Sequence, residues 1–218
     1  MPNVRRPTSP PEARARAAGF ELIAGVDEAG RGPWAGPVVA AAVVLSRRTL
    51  GVRIDDSKRL TSRQRLVAYR VITTRALVGI GIVPACVIDA ENIRRATLQA
   101  MAQAIADLGC APHLVLVDGR DVPPIPIPCW PIVGGDHLSY PIACASIVAK
   151  VTRDTLMGFY HRLFPIYRFD QHKGYGTARH LATLSARGPS FLHRMSFRPV
   201  SAVSTRQLTL LEPSRVTA

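Results

Sequence analysis

The sequence lacks the patterns that mark several common classes of protein. Its four cysteines include no CxxC pair, and its six histidines show neither HxxxH nor HExxH spacing, which argues against a zinc site, a redox centre and a disulfide scaffold. A GxxxxGK[ST] loop is also absent, which disfavours a small-molecule phosphotransferase. No apolar run approaches the roughly 20 residues that cross a bilayer, and the N-terminal residues have no apolar core like that of a secretory signal. These absences predict a cytoplasmic protein with reduced thiols and no membrane partner.

Acidic residues are scarce relative to basic ones. The 218 residues include 28 Lys and Arg against 15 Asp and Glu, for a formal net charge of +13 at pH 7. The excess persists when residues 1–19 and 201–218 are set aside, so the central part of the chain is itself basic. A basic body favours a polyanionic partner, most commonly nucleic acid. An arginine-rich genome is the alternative explanation.

The chain divides by composition into three parts. Residues 1–19 mix Pro, Arg and Ala without periodicity and are expected to form a flexible basic arm. Residues 20–200 carry the apolar patterns of a folded domain, and residues 201–218 are expected to be a loose tail. Within the domain, strands are predicted over 21–27, 38–45, 77–83 and 113–117, and helices from Thr61, from an Asp89 cap, over 141–163 and over 178–186. This alternation predicts an α/β fold with one central sheet.

Two predicted strands end in acidic residues followed closely by glycine. Asp27 and Glu28 follow the first strand, and Asp118 follows the strand at 113–117. Sites in open α/β sheets lie beyond strand ends. Because successive side chains on a strand point to opposite faces, Asp27 and Glu28 share a site only if the strand ends there and the backbone turns. A hairpin turn with solvated acids is the alternative.

Paired carboxylates are suited to holding Mg²⁺ or Mn²⁺. Two such ions can activate water, neutralise charge at phosphorus and assist the leaving oxygen in phosphodiester hydrolysis. Three or four converging carboxylates are needed, and Asp27, Glu28 and Asp118 are three candidates. The fourth is either Asp136, in a glycine-flanked bend before a helix, or Asp154, within a helix, and the loop geometry favours Asp136.

The loop after the first two acids has the composition of a phosphate-binding segment. Gly30, Arg31 and Gly32 offer backbone N–H groups that a ligand can approach closely, together with one guanidinium group. The alternative is a non-catalytic nucleic-acid-binding module, which would account for the net positive charge and in which the acids would be solvated turn residues. However, that class does not explain why carboxylates, which repel phosphate, are placed at strand ends of a basic protein.

Five motifs in one consistent order resemble the bacterial ribonuclease HII family. They are the run 25–37, Asp56-Ser57-Lys58, Leu116-Val117-Asp118-Gly119, the helix segment 145–151 and His172-Lys173-Gly174-Tyr175. The resemblance covers about residues 20–200 and implies an RNase H-like fold, in which helices flank a central mixed sheet and a helical extension follows. It also implies a monomeric endonuclease that cleaves RNA in RNA–DNA hybrids. Such an enzyme also nicks ribonucleotide-containing duplex DNA on the 5′ side of the ribonucleotide, leaving 3′-hydroxyl and 5′-phosphate ends, with Mn²⁺ or Mg²⁺ as cofactor.

The resemblance also implies roles for individual residues. The four metal-binding and catalytic acids would be Asp27, Glu28, Asp118 and Asp136. The segment Gly30-Arg31-Gly32 would contact the ribonucleotide through its 2′-hydroxyl and the flanking phosphates, and Tyr175 would stack at the same position. The 2′-hydroxyl is the group that distinguishes RNA from DNA.

Three further residues are candidates for substrate binding. Lys58 and Lys173 lie beside Ser57 and Tyr175 and are expected to contact phosphates, although lysines on a basic surface are often simply solvated. Ser57 is either a substrate contact or a turn residue before the helix at Thr61. The sequence departs from many relatives at Gly134, where they carry lysine, so one phosphate contact is expected to be missing.

Overall fold

The computed structural model describes residues 10–46, 50–55, 57 and 59–211 and contains a five-stranded mixed sheet with helices around it. The strands are β1 (Ile23–Ala29), β2 (Val38–Leu45), β3 (Ala76–Val83), β4 (Leu114–Asp118) and β5 (Cys129–Ile132). The helices are α1 (Pro11–Ala17), α2 (Ser62–Arg75), α3 (Ala85–Glu91), α4 (Ile93–Ala106), α5 (Gly135–Leu138), α6 (Tyr140–Leu163), α7 (Phe169–His172), α8 (Ala178–Arg187) and α9 (Arg198–Leu211). A 3-10 helix covers Pro165–Tyr167. The predicted α/β class with a central mixed sheet is confirmed.

The strand order in the sheet is β3-β2-β1-β4-β5. Strand β1 lies between an antiparallel neighbour, β2, and a parallel neighbour, β4. Strand β5 extends the parallel part at the edge. The carboxyl ends of β1, β4 and β5 therefore meet at one edge of the sheet.

The chain forms two compact units. The sheet unit comprises Met1–Ala29, Val39–Ile82 and Thr97–Val151, and the second unit comprises Gly30–Val38, Val83–Ala96 and Thr152–Ala218. Each has its own buried apolar cluster. No helix within the described part of the chain is both long enough and apolar enough to cross a membrane.

The sheet unit is built around small residues that allow close packing. Ala41 and Val43 of β2 share a buried cluster with Ile72 of α2 and with Ala145 and Val148 of α6. At Gly25 in β1, a β-carbon would overlap the backbone at the start of α6. Glycine is therefore the residue that lets this helix lie directly against the strand.

The second unit is centred on aromatic residues. Ala35, Met157, Tyr167, Phe169 and Leu192 form its buried cluster. The rings of Tyr167 and Phe169 are stacked with their centroids 5.4 Å apart. This cluster supports the segment 30–38, whose Ala35 forms an antiparallel β-bridge with His193.

Helix starts were predicted with mixed success. The capping box at Thr61 and Gln64 is confirmed, because each side chain accepts a hydrogen bond from the other residue's backbone N–H. The Asp89 cap is wrong, since Asp89 lies inside α3. Asn92 instead caps the start of α4, because its side-chain oxygen accepts hydrogen bonds from Arg94 N and Arg95 N.

Two segments expected to be irregular are ordered in part. The arm before Phe20 was predicted to be flexible, yet α1 places Ala15 in a buried cluster with Ile23 and Leu114. The loose tail after Val200 is wrong as far as Leu211, because α9 runs to that residue. Strand β5, which no predicted strand covers, contains Pro131, and this proline is tolerated because the strand lies at the sheet edge. Residues 1–9 and 212–218 of the predicted arm and tail lie outside the described residues.

Candidate active site

Two of the predicted acids lie near the carboxyl ends of neighbouring parallel strands, at the same edge of the sheet. The parallel register of β1 with β4 ends at the pair Val26 and Val117, so Asp27 and Asp118 come next on each strand. Neighbouring strands lie about 4.8 Å apart, which places these two residues side by side in the sheet unit. The predicted juxtaposition of two acid-bearing strand ends is therefore what the topology produces.

The first strand continues further than its sequence pattern predicts. Asp27 and Glu28 remain in register with β2, and the strand ends at Ala29. The predicted end of the strand at Asp27 is therefore two residues too early, and the backbone leaves the extended region at Gly30, where φ is +95°. Glu28 N donates to Asp27 Oδ1 at 2.7 Å, so one oxygen of this carboxylate is held by the backbone of the next residue.

Asp27 is a buried carboxyl group, 6% exposed, with acidic neighbours. Burial raises its pKa well above the ordinary value, and repulsion from Glu28 and Asp118 raises it further. Hydrogen bonds from the Ser146 hydroxyl and from the backbone of Glu28 oppose this rise. The site therefore concentrates negative charge where burial already disfavours it.

The other two acids are connected through a tight glycine turn. Gly134 adopts a left-handed conformation with φ of 69° and precedes the short helix α5. Gly135 N donates to Asp118 Oδ1 at 2.6 Å, and Asp136 lies next in the chain and is buried. The pKa of Asp118 is raised by burial and also by repulsion from Asp136, with the Gly135 hydrogen bond acting against both.

The four carboxylates are thus linked in one sequence of electrostatic interactions: Glu28 with Asp27, Asp27 with Asp118, and Asp118 with Asp136. Within the described residues, no three His, Cys, Asp or Glu side chains are grouped so that they could hold a metal ion. The chemistry of the donors nevertheless fits a hard divalent cation. Carboxylate oxygens are the ligands that Mg²⁺ and Mn²⁺ prefer, and a cation would remove the repulsion that raises the pKa values of Asp27 and Asp118.

Ser57 is buried in the sheet unit, where its hydroxyl lies 3.1 Å from the Ser146 hydroxyl. Its carbonyl accepts a hydrogen bond from Arg65 at the start of α2. These contacts make Ser57 part of the support of Asp27 through Ser146. Lys58, together with Asp56 of the same motif, lies outside the described residues.

The segment from Gly30 to Pro37 belongs to the second unit and is held there through its carbonyl groups. Arg194 donates to the carbonyls of Gly30, Arg31 and Gly36 at 2.5 to 3.0 Å. Arg153 donates to the carbonyls of Ala35 and Pro37 at 3.1 and 2.9 Å. Two arginine side chains therefore bind most of the loop by its backbone.

Both arginines are buried, and Arg194 has no exposed surface. Burial lowers the pKa of Arg194 to about 9, and the nearby charge of Arg153 contributes to the same shift, whereas Asp89 opposes it. Burial likewise lowers the pKa of Arg153. Hydrogen bonds to carbonyl oxygens compensate for the loss of water around both guanidinium groups.

Tyr175 stands beside Gly32 in the same unit. A β-carbon at Gly32 would lie 3.9 Å from Tyr175 Cε1, and the ring is 45% exposed. The guanidinium of Arg153 lies 5.9 Å from the ring centroid. The structure therefore brings the glycine loop and the tyrosine together and leaves the ring accessible to a ligand.

Histidines fix the backbone around Tyr175. His180 Nδ1 lies 2.9 Å from the Tyr175 carbonyl, and His180 Nε2 lies 3.0 Å from His193 Nε2. His172 bonds to the Tyr167 carbonyl and accepts from Gly174 N. Lys173 Nζ donates to the Asp170 carbonyl at 2.7 Å. The Lys173 ammonium thus bonds within its own turn in this structure.

Three supporting residues were missed in the sequence. The sequence marks Ser146 only as part of the helix segment 145–151, and Arg153 and Arg194 are two of many arginines in a basic chain. Neither the spacing nor the composition distinguishes a buried arginine from a solvated one. Their roles depend on tertiary contacts between residues far apart in sequence.

Comparisons with known proteins identify relatives of the chain. The family model for Ribonuclease HII matches residues 24–200. Ribonuclease HII of Geobacter sulfurreducens is 50% identical over 190 residues, which cover 87% of this chain and 88% of that protein. Ribonuclease HII of Chlamydia abortus is 51% identical over 187 residues, covering 85% and 88%.

Solved structures share the fold. Ribonuclease H2 from Pyrococcus horikoshii superposes with a TM-score of 0.72 at 23% identity, covering 85% of this chain and 98% of that one. Bst-RNase HIII in complex with Mn²⁺ gives a TM-score of 0.67 at 16% identity, covering 88% and 72%. The predicted RNase H-like fold is therefore confirmed.

Proposed function

The chain belongs to the ribonuclease HII family, and we propose that it is a metal-dependent endonuclease acting on RNA within RNA–DNA hybrids. It would also nick duplex DNA on the 5′ side of an embedded ribonucleotide and leave 3′-hydroxyl and 5′-phosphate ends. The observation that supports this proposal most strongly is the row of interacting carboxylates at the carboxyl ends of β1 and β4. In a chain of net charge +13, buried acids with raised pKa values are costly unless a cation balances them.

Asp27, Glu28, Asp118 and Asp136 would hold two divalent cations, Mn²⁺ or Mg²⁺. When bound, such ions supply an activated water and stabilise the oxyanions of phosphodiester hydrolysis. The protein contributes fixed carboxylates. One oxygen of Asp27 is held by Glu28 N and one oxygen of Asp118 by Gly135 N, so both side chains are oriented before any ligand arrives.

The segment Gly30-Arg31-Gly32 would recognise the ribonucleotide. Arg31 and Gly32 are exposed, and Gly32 has open space beside it apart from the Tyr175 ring. Backbone N–H groups that lack a neighbouring side chain can approach a 2′-hydroxyl or a phosphate oxygen closely. Tyr175 would pack against the sugar at the same position, and Lys58 and Lys173 would contact phosphates.

Cleavage of a duplex that contains one ribonucleotide tests this proposal. The wild-type protein with Mn²⁺ or Mg²⁺ is expected to nick only the ribonucleotide strand, and EDTA is expected to abolish the reaction. Asp118→Asn should lower kcat by at least 100-fold while leaving duplex binding within a few fold. Full turnover by this variant, or turnover in EDTA, would contradict the assignment.

A further inference from the structure

Arg194 makes an unusual set of contacts with the loop that carries Gly30, Arg31 and Gly32. Its Nη2 bonds to the carbonyls of Gly30 and Gly36, its Nη1 to the carbonyl of Arg31 and its Nε to the carbonyl of Gly36. The side chain is fully buried. One guanidinium group therefore binds two consecutive peptide groups of the loop, Gly30–Arg31 and Arg31–Gly32.

The orientation of those two peptide groups follows from these bonds. In a trans peptide the N–H points opposite to the C=O of the same plane, and no described peptide bond of the chain is cis. Because the Gly30 and Arg31 carbonyls both point at Arg194, the N–H groups of Arg31 and Gly32 both point away from it. Successive N–H groups directed to one side form a concave site for an anionic or electron-rich oxygen.

Arginine suits this position better than lysine because its planar group offers five N–H donors in a fixed fork. The guanidinium group of Arg194 makes four hydrogen bonds to three loop carbonyls at the same time. The backbone around Arg194 is itself fixed: its own N–H donates to the Trp34 carbonyl, and Asp89 accepts from the backbone of Met195 and Ser196. The guanidinium is thus presented to the loop by a rigid segment.

We propose that Arg194 is a positioning residue that directs the Arg31 and Gly32 N–H groups toward the 2′-hydroxyl side of a ribonucleotide. Arg194 does not contact the substrate and acts through the two peptide groups that it orients. This inference depends on the proposed function, in which the same loop binds the ribonucleotide. It assigns the discrimination between ribose and deoxyribose in part to a buried side chain more than 160 residues away in the sequence.

Binding measurements with two matched duplexes test the proposal. The parent is Asp118→Asn, so that substrate is not consumed, and the duplexes differ only by one ribonucleotide. The measured quantity is the ratio of the two Kd values, because a lower fraction of folded protein changes both Kd values equally and leaves the ratio unchanged. Arg194→Met and Arg194→Lys are both expected to reduce the ratio about tenfold. Arg187→Met, which removes an exposed arginine from the same unit, should leave it unchanged.

Each outcome supports the proposal or contradicts it. A folded Arg194→Met variant with the parent ratio would overturn it, and full discrimination by Arg194→Lys would contradict the claim that the guanidinium fork orients the two peptide groups. If both variants fail to fold, NMR of the ¹⁵N-labelled parent decides: the Arg31 and Gly32 amide signals must shift more with the ribonucleotide duplex than with the all-DNA duplex. Equal binding of both duplexes by the parent would overturn the proposed function itself, and this inference with it.

Discussion

Replacing Ser146 by alanine probes the support of the most buried acid. The Ser146 hydroxyl donates to Asp27 and lies 3.1 Å from the Ser57 hydroxyl. Because Ser146 has one proton and gives it to the carboxylate, Ser57 must be the donor in the other bond. The substitution therefore leaves a buried donor on Ser57 and a buried oxygen on Asp27 each without this partner.

The expected loss in the free energy of unfolding follows from the Ser57 hydroxyl and the Asp27 oxygen that lose this partner. An unpartnered buried polar group costs about 1–3 kcal/mol, so Ser146→Ala, which leaves two of them, should lower the free energy of unfolding by roughly 2–6 kcal/mol at pH 7. For a chain of this length that corresponds to a Tm lower by about 4–24 °C. Ser57→Ala should cost less than about 1.5 kcal/mol, because Ser146 still serves Asp27. The double variant should lose less free energy of unfolding than the two single variants lose together, since no hydroxyl is then left unpaired.

The pH dependence provides the second part of this prediction. Burial raises the pKa of Asp27 above its unfolded value, and Ser146 opposes that rise. A carboxyl group with a raised folded pKa makes the protein lose stability as pH rises from the unfolded value through the folded one. Loss of Ser146 raises this pKa further, so the deficit of Ser146→Ala should be larger at pH 7 than near pH 4, where Asp27 is protonated.

Urea unfolding followed by circular dichroism, in EDTA at pH 7 and at pH 4, measures both effects. Wild type, Ser57→Ala, Ser146→Ala and the double variant form a complete cycle. If Ser146→Ala matches wild type at pH 7, or shows the same deficit at both pH values, the hydrogen bond to Asp27 does not have the role described.

Three other substitutions separate stability from activity. Asp27→Asn removes a buried charge that Glu28 and Asp118 repel, so its Tm at pH 7 and in EDTA should rise above wild type while turnover is lost; a lower Tm would contradict the repulsion. Thr61→Ala removes the α2 cap and should cost about 1 kcal/mol in urea unfolding without changing kcat, and a change in kcat would assign α2 an unexpected role. Tyr175→Ala leaves the half-exposed ring position empty and should reduce the preference for ribonucleotide over all-DNA duplex several-fold in competition binding, whereas an unchanged preference would remove Tyr175 from recognition.

Local sequence signals predicted the elements that depend on local interactions. The capping box at Thr61 and the long helix from about Pro141 follow from side-chain spacing within a few residues. Strand β5 was missed because its proline is acceptable only at a sheet edge. Helix α1 was missed because Ala15 is buried by residues nearly 100 positions away, which no periodicity of the arm reveals.

The residues of the candidate site also fall into a group that the sequence predicts and a group that only the structure reveals. Asp27 and Asp118 could be paired from the sequence because parallel strands in an α/β sheet bring their carboxyl ends to one edge. The residues that orient the site could not be identified from the sequence. Ser146 becomes recognisable only when its hydroxyl is seen between Asp27 and Ser57, and Arg194 only when its guanidinium is seen on the loop carbonyls.

Mapping the nick in a duplex with one ribonucleotide tests the central claim most directly. The strand is labelled at each end in turn, incubated with the wild-type protein and Mn²⁺ or Mg²⁺, and its products are compared with markers of known termini. The account predicts one nick on the 5′ side of the ribonucleotide, a 3′-hydroxyl on the upstream fragment and a 5′-phosphate on the downstream one. Cleavage on the 3′ side, a 2′,3′-cyclic phosphate, or equal cleavage of an all-DNA duplex would contradict it.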